Sequence, residues 1–315
     1  MIVLSALPCF SENTTQSVLE KPSTKSFFED VNFSLGTGLS YLNGQYREIV
    51  YPDTSSVNEY LSELLWNLDN VFLLNFNAGV SKGPWELGLT ISTALTSETG
   101  KMTDTDWTDS SSSVRTHWSL SKIWLDNSFL LNTDITRSFD LSKNVTIKTG
   151  LGYRLDFWDW EDEVLEYDYP YTVSSDNIGV NGIDYKVIQN IFYASTGVIF
   201  SKENISTAVN IALSPFIYAW DLDHHILTQT YYVDTFYAKF WYRAEMTLQL
   251  RTGANKKLIF TLFREELPET IGDTFVYDED IFNSEETGDY AGTYTHGAGM
   301  ASILWGIGLS YIWTF

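Results

Sequence analysis

The end of the chain constrains its fold more than any other stretch. From 303 onward every odd position is apolar or aromatic: Ile303, Trp305, Ile307, Leu309, Tyr311, Trp313 and Phe315. The even positions between them include Gly306, Gly308, Ser310 and Thr314, which are small or polar. A period of two residues belongs to an extended strand, whose side chains alternate between faces. In a soluble sandwich that apolar face would meet a core. A terminal Phe on an aromatic-rich strand is also how the closing strand of an outer-membrane barrel ends, and the rest of the chain favours that reading. No apolar run reaches the roughly 18 residues of a membrane-spanning helix, so a crossing must be made by strands.

The same alternation recurs upstream. Val31, Phe33, Leu35, Leu39 and Tyr41 oppose Asn32, Ser34, Gly36, Gly38 and Ser40. Trp85, Leu87, Leu89, Ile91 and Leu95 oppose Glu86, Gly88, Thr90, Ser92 and Ala94. Ile205, Val209, Ile211, Leu213 and Ile217 oppose Asn204, Ser206, Ala208, Asn210, Ala212 and Ser214. A greasy face backed by a small, polar one suits lipid outside and a hydrated lumen inside.

The connections fall into two classes. Short turns centre on Ser81-Lys82-Gly83, Asp140 to Asn144, Ser201 to Asn204 and Gly253 to Lys257. Longer acidic stretches span roughly 51–61, 99–115, 161–183, 223–231 and 270–292. Nine alternating connections predict ten strands, an all-β, antiparallel transmembrane β-barrel with both ends on the short-turn side. The segments near 60–80 and 231–252 exceed the roughly 9–11 residues a tilted strand needs, so the barrel is expected to extend above the outer membrane. Residues 1–26 read as a shortened signal peptide and leader, leaving 27–315 as one barrel domain.

Charge narrows the function. With 19 Lys and Arg against 41 Asp and Glu, the net charge is −22. That excludes a nucleic-acid binder and suits a protein that attracts cationic partners. One cysteine excludes a disulfide framework.

Two local patterns carry chemistry. In Asp104-Thr105-Asp106 both carboxylates project to one side of an extended backbone, inward by the parity of Glu86 and Thr90. Two carboxylates so close tend to share a proton; an acidic surface loop or a Ca²⁺ site would look alike. In Asp221-Leu222-Asp223-His224-His225, Asp223 and His225 are i, i+2 neighbours on one face. A carboxylate beside an imidazole makes a general base, although a solvated loop or a metal site also fits. Odd parity in this strand points to lipid. Either a bulge between Pro215 and Asp221 turns the pair inward, or the site lies in turning backbone above the membrane. A bulge is expected, because a base facing away from the lumen would be useless.

With Arg47-Glu48-Ile49-Val50-Tyr51, Ser62-Glu63-Leu64-Leu65-Trp66, the run Asp104 to Ser111, the Asp221-x-Asp223-x-His225 pattern and the closing strand in order, the sequence resembles the omptins, outer-membrane aspartyl endopeptidases of Gram-negative bacteria, from about Phe27 to Phe315. The resemblance implies a groove at the extracellular top. There Asp104 and Asp106 would match an Asp pair, Asp223 and His225 a facing dyad, and a water between them would attack the peptide carbonyl without metal or covalent intermediate. Glu48 and Asp221 match the subsite for a basic residue before the cut, and Ile183 aligns with the following subsite. Implied partners are cationic peptides or proteins and outer-membrane lipid, with the barrel a monomer. The family uses lipopolysaccharide as an activator, bound by a basic and aromatic cluster. Here Tyr153 keeps an aromatic, but Leu155, Phe157 and Ile188 replace charged residues, which argues against that dependence. The alternative is a non-enzymatic barrel, an adhesin or narrow pore, whose acidic rim only binds.

Overall fold

A computed structural model describes residues 30–52, 56–168, 178–238, 240–278 and 290–315. The expected leader over 1–26 lies outside them. Twelve strands run in chain order: β1 (Val31–Val50), β2 (Ser62–Lys82), β3 (Trp85–Ala94), β4 (Glu98–Asp106), β5 (His117–Ser142), β6 (Val145–Tyr167), β7 (Ile183–Lys202), β8 (Ile205–His225), β9 (Thr230–Ala238), β10 (Trp241–Gly253), β11 (Lys256–Tyr277) and β12 (Tyr290–Thr314). Every pairing is antiparallel, and β1 pairs with both β2 and β12, so the sheet closes on itself. β3 and β4 both lie between β2 and β5, and β9 and β10 both lie between β8 and β11. Each such pair occupies one position, so twelve strands form a ring of ten. Closure leaves no unpaired edge, the condition for a barrel in an apolar medium.

The short turns and the first long connection, 51–61, fall where expected, but the other long connections are shorter than the sequence suggested. β4 runs through Asp106, β6 through Tyr167 and β11 through Tyr277, while β8 and β9 are joined by a tight turn at 226–229. Glu161, Asp162, Glu163 and Glu166 therefore sit in a strand rather than in a loop, and Asp162 is buried. Composition misled because strands that rise clear of lipid carry polar residues on both faces.

The lower outer wall is a band of exposed apolar side chains, among them Leu35, Leu39, Phe76, Leu151, Val209, Ile211, Leu213, Ile307 and Leu309. A soluble monomer rarely exposes so much contiguous apolar surface. The lower interior holds a polar cavity of about 570 Å³ lined by Ser34, Asn75, Glu86, Asp134 and Lys148, among others. Above it the barrel is filled. Trp158 and Trp160 stack at 5.7 Å, Trp160 and Tyr185 at 5.9 Å, and Trp66 and Tyr185 at 5.0 Å. Beside this plug Arg154 grips Glu265 through two bonds of 2.7 and 2.8 Å and Asp156 at 2.7 Å, while Arg243 reaches Glu265 at 2.7 Å.

The face that points inward changes partway along several strands. On β8 two residues, Ser214 and Pro215, stand against the single Tyr193 of β7. Pro215 has no N–H for the ladder, and the Ser214 Oγ compensates by donating within 2.8 Å of the Phe192 and Phe216 carbonyls. The expected bulge exists, but at Ser214–Pro215 rather than between Pro215 and Asp221. Ile217, expected on the lipid face with Leu213, is consequently fully buried inside.

Candidate active site

Glu48 is placed by the simplest route. The β1–β12 register runs without a shift from Ser34 to Val50, so the parity of Ser34 and Ser40 carries up to Glu48 and turns it inward. It is 2% exposed.

Asp104 and Asp106 occupy the end of β4, opposite Leu64 and Ser62 on β2. The ladder is broken between Ala94 and Glu98, and a backbone shift between Glu98 and Gly100 restores the expected parity. Gly100 has φ of +139°, and a Cβ there would lie 2.3 Å from the Asn67 carbonyl oxygen, so only glycine fits. Ser62 Oγ donates to Asp104 Oδ1 at 3.2 Å. Burial, then the neighbouring Asp106 charge, pushes Asp104 up to about 7, with His225 opposing. Burial also raises Asp106, against Ser62 and His117.

Asp223 and His225 stand at the end of β8, four ring positions from β4 and so on the opposite wall. His225 Nε2 lies 2.7 Å from Asp223 Oδ2. Asp223 is 2% exposed, whereas about a third of the His225 side chain meets solvent. Burial disfavours the imidazolium, but Asp223, its hydrogen bond, and then Asp104 and Asp106 outweigh it, leaving His225 at about 9. The two walls are therefore electrostatically in contact across the opening. Tyr232 packs edge-on against the imidazole at 5.2 Å. His224 turns the other way and stacks on Tyr231 at 3.9 Å.

Below the dyad lies Asp221, fully buried, with Tyr185 Oη donating to its Oδ2 at 2.9 Å. Burial and then Asp234 raise its pKa well above the ordinary range. Burial, then Asp223, Asp221 and Asp234, do the same to Glu48. Ile183 is buried directly opposite His225 on β7, next to the dyad rather than apart from it.

The structure thus gathers Glu48, Asp104, Asp106, Asp221, Asp223, His225 and Ile183 at one end of the barrel. Four further residues belong to the site without having been assigned to it from the sequence. Ser62 and Tyr185 donate to the acids, and Asp162 accepts the Gly182 and Ile183 N–H groups at 2.8 and 2.7 Å, fixing the start of β7. Asp234, 3% exposed, faces Asp221 across the β8–β9 ladder. A lone Asp amid the aromatic alternation Tyr232, Asp234, Phe236 was its only signal. Among the described residues no group of His, Cys, Asp and Glu is arranged to hold a metal.

The omptin family model matches residues 29–313. Among solved structures, the outer membrane protease OmpT from Escherichia coli superposes with a TM-score of 0.76 at 20% identity, covering 93% of this chain and 99% of that one. The translocator domain of the autotransporter NalP from Neisseria meningitidis gives 0.34 at 9% identity, covering 88% of each chain. No curated protein sequence matches.

Proposed function

This chain belongs to the omptin family of the bacterial outer membrane, and we propose that it is an endopeptidase that cuts next to basic residues with its cleft turned to the outside. The observation that carries the proposal is the Asp223–His225 pair, bonded at 2.7 Å and facing the Asp104–Asp106 pair over a buried acidic floor. The outward orientation is supported by the ends of the barrel. The site lies at the end opposite the short lysine-bearing turns and the bond between Phe33 N and the Phe315 carbonyl. The shared fold with OmpT, an outer membrane protease, supports the proteolytic reading as well.

The chemistry follows from charge. A peptide carrying arginine or lysine is drawn to a chain of net charge −22. Its cation settles against Glu48 and Asp221, and the added positive charge counters the field that holds a proton on His225. The freed imidazole then takes a proton from a water between the walls, that water attacks the carbonyl, and as the C–N bond breaks the imidazolium returns the proton to the departing amine. Asp223 fixes the ring and stabilises the imidazolium that forms, and the Asp104–Asp106 pair holds the water and shares a proton with it. No acyl-enzyme intervenes.

Activation by lipopolysaccharide is not part of the proposal. On the outer wall Phe129, Phe157, Ile188 and Trp220 pair in one row across β5 to β8. An apolar row binds acyl chains, not phosphates. A narrow pore is disfavoured by the filled interior at Trp66, Trp158, Trp160 and Tyr185.

The test is cleavage of a fluorogenic peptide holding one Arg-Arg bond by refolded protein and by His225→Ala. Cleavage is expected to fall by about 10²–10⁴-fold, the usual contribution of a general base. Undiminished turnover in the variant would remove the base from the mechanism.

A further inference from the structure

Two acids account for a basic-residue subsite, yet the floor of this cleft holds more. Asp234 on β9 stands directly opposite Asp221 on β8, two residues along the ladder from the Asp223–Tyr232 pair. Like charges placed opposite each other on neighbouring strands repel, and both side chains are shut away from water. Asp234 Oδ1 meets no hydrogen-bond donor, and the same holds for Glu48 Oε2, Asp221 Oδ1 and Asp223 Oδ1. None of the ion pairs made by the described lysines and arginines includes Glu48, Asp221 or Asp234. The other oxygens are better served, Asp221 by Tyr185 and Asp234 by a hydrogen bond from Thr274, but buried carboxylates with an unmet oxygen and no counter-ion are costly. The barrel shows that it can pair such groups when their role is structural, since one strand level lower Glu265 and Asp156 are both held by Arg154. Here no such partner is built in, so the repulsion is met by protonation or by a cation from outside.

We propose that Asp234 is a specificity-determining residue of the cation subsite: with Glu48 and Asp221 it forms a three-walled acceptor that selects arginine over lysine before the cut. This deepens the endopeptidase reading and rests on it. The three carboxylates come from β1, β8 and β9, so they approach one point from different sides. A guanidinium offers five N–H donors in a plane and can meet acceptors along each of its edges. An ammonium is a compact, strongly hydrated charge with three donors, and it loses more on leaving water while spanning fewer walls. Tyr185 sets one wall of this acceptor: it donates to Asp221 Oδ2 at 2.9 Å from within the aromatic plug, where its ring lies on Trp66 at 15°.

The experiment uses the refolded full chain as wild type, Asp234→Asn and Asp234→Ser. Two peptides differ only in Arg or Lys before the scissile bond, and calorimetric titrations use Nα-acetyl-argininamide and Nα-acetyl-lysinamide. Asn keeps the shape and removes an unpaired buried charge, so folding is expected to survive, as checked by the heat-dependent gel mobility of a folded barrel. The ratio of kcat/KM for Arg over Lys is expected to fall at least fivefold in both variants, with argininamide affinity falling more than lysinamide affinity. A smaller change in the ratio, or equal losses on both peptides, overturns the proposal while leaving the protease reading intact. Should the wild type cut neither peptide, the protease reading fails. The titrations then decide the subsite alone: argininamide bound by the wild type and lost in Asp234→Asn supports it, and no binding overturns it.

Discussion

If His225 is the base, replacing Asp223 by Asn should move the pH dependence of cleavage as well as lower its height. With His225 at about 9 in the free enzyme, only about one imidazole in a hundred is neutral at pH 7. A base must be neutral, so wild-type kcat/KM should climb roughly tenfold per pH unit up to about 8 and level off above 9. Asp223 is the largest of the contributions that raise the value, against burial, which lowers it. Without the carboxylate, burial faces only Asp104 and Asp106, and the limb should fall to the ordinary histidine range near 6.5 or below. The variant also loses the partner that orients the ring, so its plateau drops. The two effects oppose each other at pH 7 and no longer do at pH 10. The wild-type to variant ratio should therefore grow by roughly 70-fold between those values. An Arg-Arg substrate keeps its charge throughout, since guanidinium does not titrate there. Initial rates at substrate well below KM, from pH 6 to 10, give the profile of the free enzyme. A wild-type profile flat from pH 7 to 10, or a variant limb at the wild-type position, would refute this assignment.

Three further outcomes are expected. Asp234→Asn should raise the thermal unfolding midpoint at pH 7: burial holds the folded pKa at about 7, above the ordinary carboxylate range, so this group lowers stability as pH rises from about 4 to 7, and the gain should vanish in a melt at pH 4. Arg154→Met should cost about 3–5 kcal/mol, because it strands Asp156, which is 1% exposed; the gel-mobility transition should shift to lower temperature, and a paired Asp156→Leu change should recover part of the loss. Added lipopolysaccharide should leave the cleavage rate in detergent within about twofold if Leu155, Phe157 and Ile188 give its phosphates no charged partner.

How much of this was legible in the sequence depended on where backbone phase is kept. Glu48 could be turned inward from Ser34 because β1 runs unbroken against β12. Ten positions could be counted because the turns between them alternate in length. Ile217 lies beyond an extra residue that inverts the faces, so alternation carried up from Leu213 misplaces it. Similar single-residue insertions occur on β2 at Asp69–Asn70, on β5 at Asp126 and on β11 at Pro268–Glu269. Alternation cannot reveal them, since a strand reads the same before and after. The bulges do leave a chemical trace. Two hold a proline, which cannot donate to the ladder, and Asn70 takes a positive φ of 61°, as Asn tolerates. Only Pro215 was recognised, because a base aimed at lipid would have had no use.

At the level between the lower cavity and the cleft, the interruptions are not scattered around the ring. They fall in β2, the β3–β4 position and β5, and again in β8, the β9–β10 position and β11. The strands between these groups, β1 with β12 and β6 with β7, keep their registers against one another there. A bulge bends its strand and sharpens local twist, so each group tilts as a panel while the continuous strands hold the panels apart. One panel carries Asp104 and Asp106, and the other carries Asp221, Asp223, His225 and Asp234. An ordinary barrel of this size fills its middle with side chains and has no room for a substrate. Here the inner faces of both panels are reset at or just below the level of the aromatic plug, so the same closed ladder that shields its backbone in lipid turns the acids and His225 inward above it. Because every site residue on these strands is held by neighbours on both sides, the repulsion among the acids cannot be relieved by local unfolding. It can be relieved only by a proton or by an incoming cation.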